Sequence, residues 1–113
     1  MRLVWVIDAG LPTPVCNQDL FNSDGVFLGR PDLFCPEVGL VGEYDGADHL
    51  VEDRRQRDRE REERFRDHGL EYVVVVRGEL GRPRQIARRL RAAYYRALDA
   101  PRRQSWCLRT DSP

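Results

Sequence analysis

A chain of 113 residues is the size of one domain and can bury a core without disulfide or metal staples. Its 19 acidic and 19 basic residues cancel, so no bulk charge draws it to nucleic acid, and any basic surface must be local. Every basic residue is arginine; this excludes lysine as a Schiff-base nucleophile or phosphate point charge and leaves bidentate arginine contacts for anionic partners.

In chain order, Arg2 to Ala9 reads as the end of a helix, with Gly10 as its C-cap and Pro12 just beyond. The first residue then falls inside an element, so this helix is expected to be truncated at its start. Val15 to Phe21 predicts a strand, and Asn22-Ser23-Asp24-Gly25 a hairpin turn into a second strand, Val26 to Phe34. A third strand, Gly39 to Asp45, completes an expected three-stranded antiparallel meander. Leu50 to His68 is nearly all charged, with Phe65 its main apolar residue late on and Gly69 its stop; a solvated helix laced with i,i+4 ion pairs accounts for it. Within Leu70 to Arg77, Tyr72-Val73-Val74-Val75-Val76 predicts a strand covered on both faces.

From Arg82 to about Leu98 the pattern is an amphipathic helix, Ile86, Leu90, Ala93, Tyr94 and Ala97 forming the apolar stripe. Arg84, Arg88, Arg91 and Tyr95 share the other side, where they suit either a phosphate backbone or plain solvation. Residues 100–113 read as a polar tail to a domain spanning residues 1–99, with Trp106 and Leu108 as docking positions. Cys16, Cys35 and Cys107 contain no C-x-x-C pair, which predicts neither a disulfide framework nor a zinc knuckle and fits a reducing cytoplasm. No apolar run approaches a membrane span, and the N-terminus lacks a signal-peptide pattern.

The chemistry concentrates between Arg30 and His49. Residues two apart on a strand share a face, so Val41, Glu43 and Asp45 lie together, as do Arg30, Asp32 and Phe34. If Phe34 pairs with Gly39 across Cys35-Pro36-Glu37-Val38, Asp32 falls opposite Val41 and diagonal to Glu43, roughly 7 Å away. Two carboxylates so placed suit a hard divalent cation, Mg²⁺ or Mn²⁺ in its stead, which completes its shell with waters and phosphate oxygens. A one-residue slip would destroy the site, and the alternative is an edge hairpin carrying solvated acids. His49, whose side chain titrates near neutrality, is either a general base or a helix-cap residue. His68 beside Gly69 reads as a partner of a helix C-terminus.

The order helix, three antiparallel strands, helix, strand, helix, with Pro31-Asp32 on the second strand and Glu43-x-Asp45 on the third, resembles the PD-(D/E)XK nuclease superfamily. Arg30-Pro31-Asp32, Glu43-x-Asp45-Gly46-x-x-His49, Asp58-Arg59-x-Arg61, Gly69 before an apolar strand and the leading Gly10-Leu11-Pro12 are more similar still to the Vsr-like (very-short-patch-repair endonuclease-like) domain of actinobacterial proteins, over about residues 2–98. The resemblance implies a restriction-endonuclease-like α/β fold, a mixed sheet flanked by helices. It implies a Mg²⁺-dependent DNA endonuclease of the DNA-repair type, with Asp32, Glu43, Asp45 and the Tyr44 carbonyl at the metal and His49 assisting. DNA would meet Arg30, Arg59, Arg61, Arg84, Arg88 and Arg91. The alternative is a non-catalytic module binding nucleic acid or a partner, such as the C-terminal part of an antitoxin-like regulator behind an upstream winged-helix segment. The pattern departs from its relatives in three ways: Asp45 replaces the superfamily lysine, Ala47 and Asp48 stand where Vsr repair enzymes carry wedge aromatics, and their zinc cysteines have no counterparts. A glutamate expected early in the first helix would precede Met1, so the expectation is a domain excerpt or a start placed too late.

Overall fold

The computed structural model describes residues 1–46, 52–100 and 106–108. In chain order these are a π-helical turn Val4–Asp8, then β1 Val15–Cys16, β2 Leu20–Asn22, β3 Phe27–Gly29, β4 Leu33–Cys35, β5 Leu40–Asp45, α1 Glu52–Asp67, β6 Glu71–Val76, a 3₁₀ turn Arg77–Glu79, α2 Pro83–Asp99 and β7 Trp106–Leu108. One mixed sheet has the order β1-β4-β5-β6; a smaller antiparallel sheet has β3-β2-β7. The fold is α/β. Among the described residues, no helix is long and apolar enough to cross a membrane.

The valine run sets the architecture. β6 lies parallel to β5, Leu40 opposite Glu71 through to Asp45 opposite Val76. Parallel neighbours need a crossover, and α1 supplies it. Alternate residues of this sheet feed two separate cores. Leu33, Cys35, Leu40, Val73 and Val75 face one way, onto Trp5 and the stripe Ile86, Ala87, Leu90 and Ala93 of α2. Phe34, Val41 and Tyr72 face the other way, onto Leu20, Leu28 and Phe65. Trp5 lies flat enough on β5 that a side chain at Gly42 would come within 2.8 Å of its ring, so only glycine fits there. The Trp5 indole N–H donates to the Pro12 carbonyl at 2.9 Å. The C-cap of the first helix is Ala9, and the expected Gly10 follows it, its φ of +66° supplying the left-handed turn that takes the chain off the helix.

The expected three-stranded meander does not form as one sheet. Both its first two strands break in the middle, and the halves belong to different sheets. Val15 and Cys16 pair with Phe34 and Leu33, whereas Leu20 and Phe21 pair with Gly29 and Phe27. The causes are local: Asn17 takes a left-handed backbone, φ +52°, and Pro31 has no N–H to give a ladder. β7 extends the smaller sheet, antiparallel to β2. Trp106 stands edge-on to Phe34, centroids 4.9 Å apart, so the docking expected of Trp106 and Leu108 does occur.

The hairpin register also differs from expectation. Cys35 pairs with Leu40, Phe34 with Val41 and Leu33 with Gly42, two residues away from the expected pairing of Phe34 with Gly39. Gly39 sits at φ +77° and its N–H bonds the Cys35 carbonyl at 2.9 Å, so it belongs to the turn and not to the ladder. A slip of two preserves the faces.

Candidate functional site

The register carries Asp32 past the diagonal. It is the residue just before β4, one beyond the last ladder pair Leu33–Gly42, and it lies near enough to Glu43 for its charge to push that carboxyl upward. Pro31 just before it is fully buried and anchors the strand. The Asn17 N–H donates to the Asp32 carbonyl at 3.2 Å. The Tyr44 N–H donates to Asp32 Oδ2 at 2.8 Å, which fixes the carboxylate against β5.

Glu43 receives a cation from α1. Arg61 Nε donates to Glu43 Oε1 at 2.8 Å, and its Nη2 donates to the Arg30 carbonyl at 3.2 Å. The guanidinium lies 5.2 Å from the centre of the Phe65 ring, a cation–π distance. The side chain of Arg30 turns away to Asp19, Nε to Oδ1 2.6 Å. Burial pushes the Glu43 carboxyl above its ordinary range; Arg61 pulls it down, Asp32 and Asp58 push it up again, and the balance stays upward. Tyr72, stacked on Phe65 with centroids 5.9 Å apart, has its phenol raised by burial first and by the charge of Glu43 next.

A cleft of about 180 Å³ opens beside the pair, between the ends of β5 and β6 and the outer turns of α1; Glu43, Asp45, Asp58, Arg59, Glu62 and Tyr72 line it, with Tyr44, Val74 and Val76. Asp45 is thus on the face expected. Asp58, Glu62 and Tyr72 were not among the expected site residues. Asp58 and Glu62 had a weak signal, a spacing of i,i+4 on a charged helix, and Tyr72 is the one polar position of the valine run.

Asp32 and Glu43 fit a hard cation in donor type and in mutual repulsion. Among the described residues no group of three or more histidines, cysteines or carboxylates converges into a cage. The pair alone meets what Mg²⁺ asks of a protein, one or two carboxylates, with water and substrate oxygens supplying the rest. His49, Ala47 and Asp48 lie outside the described residues.

The expected DNA-facing arginines do not form one surface. Arg59 and Arg61 flank the cleft and the carboxylate pair. Arg84 and Arg88 are exposed on α2, which packs on the other face of the sheet, where they border a shallow hollow with Arg82. Arg91 breaks from that row, because its Nη1 donates to the Asp8 carbonyl at 2.9 Å and ties α2 to the first helix. No family model, curated protein or solved structure matches this chain.

Proposed function

We propose that the chain is a PD-(D/E)XK-type, Vsr-like domain that hydrolyses DNA phosphodiester bonds with Mg²⁺ held by Asp32 and Glu43. The observation that carries this reading is the nearness of two carboxylates, Asp32 tied to the Tyr44 N–H and a largely buried Glu43 whose charge it repels. The βαβ crossover from β5 through α1 to β6, following the β4–β5 hairpin, supports it as well. When bound, the ion would supply Lewis-acid activation of the attacking water and neutralisation of charge on the scissile phosphate. The chain's own residues do the rest. The Tyr44 N–H holds Asp32 in place, Asp45 lies on the cleft side of β5, and His49 is the proposed proton acceptor. Arg59 and Arg61 stand where the phosphates of a strand would pass.

Titration of Mn²⁺ or Mg²⁺ into the chain and into an Asp32→Ala, Glu43→Ala double variant tests the site. Uptake by the first and not the second is expected; negligible heat from both overturns the metal site. Asp32→Ala should also abolish DNA cleavage without unfolding the chain. His49→Ala should lower the rate by about 10²- to 10⁴-fold, the usual worth of a general base.

One observation favours the second reading, a non-catalytic module binding nucleic acid or a partner. Glu43 already has a cation, Arg61, at 2.8 Å. Under that reading the chain takes up no metal, and duplex DNA binding is indifferent to EDTA.

A further inference from the structure

Arg61 is held in a built slot. Its Nε meets Glu43 Oε1 at 2.8 Å, its Nη2 meets the Arg30 carbonyl at 3.2 Å, and its guanidinium plane lies over Phe65, which is fully buried. The fourth wall is Gly29: a Cβ there would stand 3.0 Å from Arg61 Nη1 and 2.7 Å from the Phe65 ring. A side chain at position 29 would therefore crowd both the arginine and its floor. Arg61 is joined to Glu43 and remains partly exposed, with 29% of its side chain open to solvent.

Arg61 meets Glu43 through Oε1, so a divalent cation drawn to the same carboxylate competes with the guanidinium for its charge. We infer that Arg61 is the resident counter-ion of the Asp32–Glu43 pair, that a divalent cation displaces its guanidinium from Glu43, and that the displaced fork then takes a phosphate oxygen of the substrate strand. This rests on the metal reading above. It adds a positioning role for Arg61 and an order of events, in which metal entry and arginine release are one exchange. A guanidinium suits both stations. It matches a carboxylate and a phosphate through the same flat array of donors, and its weak hydration makes transfer between them less costly than for an ammonium group.

The experiment uses the whole chain, with Mn²⁺ or Mg²⁺ alone as the probe of the exchange and a short duplex in Ca²⁺ as the probe of the phosphate contact. In the chain as it stands, the Arg61 Nε–H resonance, identified by its absence in Arg61→Lys, should shift in step with Mg²⁺ addition as its bond to Glu43 is lost. Calorimetry should find Mn²⁺ bound roughly tenfold more tightly by Arg61→Gln, because a unit charge a few ångströms from the site has been removed. The same variant should bind a short duplex in Ca²⁺ with a salt slope smaller by about 0.9, one phosphate contact. Equal Mn²⁺ affinity in both proteins, or an Arg61 resonance unmoved at saturating Mg²⁺, overturns the exchange and leaves the metal site standing. No Mn²⁺ uptake by either protein overturns the metal reading, and the exchange falls with it.

Discussion

Two glutamate–arginine pairs in this molecule have similar contact distances and opposite electrostatics. Arg89 Nη1 lies 2.6 Å from both oxygens of Glu79, and Arg61 Nε lies 2.8 Å from Glu43. Burial pushes both carboxyls upward. At Glu79 the Arg89 hydrogen bonds, the Val76 N–H at 3.2 Å and the Gln85 amide outweigh it, and the carboxyl ends below its ordinary value. At Glu43 a single arginine works against burial and against two neighbouring acids, Asp32 and Asp58, and the carboxyl ends above it. The first pair is complete: it closes the turn after β6, and Arg89 also reaches the Val74 carbonyl at 3.0 Å. The second leaves negative charge under-compensated at the edge of a cleft. A saturated pair holds structure; an unsaturated one is where the proposed cation would be stabilised.

The strongest way to break this contrast is to remove the floor under one pair. Phe65→Ala should cost about 3–5 kcal/mol, the usual range for a buried phenylalanine, since Phe65 is fully buried and is α1's one large apolar anchor in the core beneath it. Arginines also tie α1 to backbone oxygens, Arg64 to Leu28 at 3.2 Å and Arg66 to Tyr72 at 3.3 Å. Urea denaturation gives the loss. Arginine side-chain resonances should show Arg61 released and Arg89 unchanged; both moving together would mean the two pairs are not independent.

Acid sharpens the same contrast with a smaller effect. The folded chain holds Glu43's proton more tightly than the unfolded chain does, so its contribution to stability is fully present below the ordinary glutamate value and is lost as pH rises through the raised one. Glu79 works the other way: its contribution is present above the ordinary value and is lost as pH falls through the lowered one. Measured between about pH 3.5 and 7.5, a window spanning glutamate's usual value, the stability of the chain relative to Glu43→Gln should fall with pH. Relative to Glu79→Gln it should rise, by about 0.2–1 kcal/mol for a solvent-screened pair. Slopes of one sign for both would end the distinction.

How far these features could be read from the chain depends on the range of the signal. The α2 stripe repeats within a helix and the valine run is contiguous, so both stand in the structure where their patterns put them. The faces of Asp32 and Glu43 follow from strand parity, which a slip of two leaves intact. The slip itself turns on Gly39 taking a positive φ inside the turn, and the broken strands turn on Asn17 and Pro31. Each is a single residue acting on its own segment, with no periodic signal around it to mark the effect. Arg61 was legible only through its place in Asp58-Arg59-x-Arg61. In a helix made mostly of arginine and acid, nothing local separates it from Arg59 or Arg64, because its partner lies 18 residues away on another element.

The smallest effect concerns the arginines of α2, which divide along the same line between engaged and exposed. Arg91 is spent on the Asp8 carbonyl, whereas Arg84 and Arg88 face outward beside the hollow at the start of α2. Arg91→Gln should therefore cost about 0.5–1.5 kcal/mol, the net worth of one hydrogen bond, without touching DNA affinity. Arg84→Gln with Arg88→Gln should leave stability within about 0.5 kcal/mol, as surface changes do. If α2 tracks a duplex, that double change should lower the slope of log K against log salt by about 1.8, two contacts at about 0.9 each. A duplex-binding series across salt checks both. An unchanged slope in the double variant assigns this face to solvent and leaves the opposite side of the sheet, where Arg59 and Arg61 flank the carboxylates, as the surface on which the proposed DNA binding would have to occur.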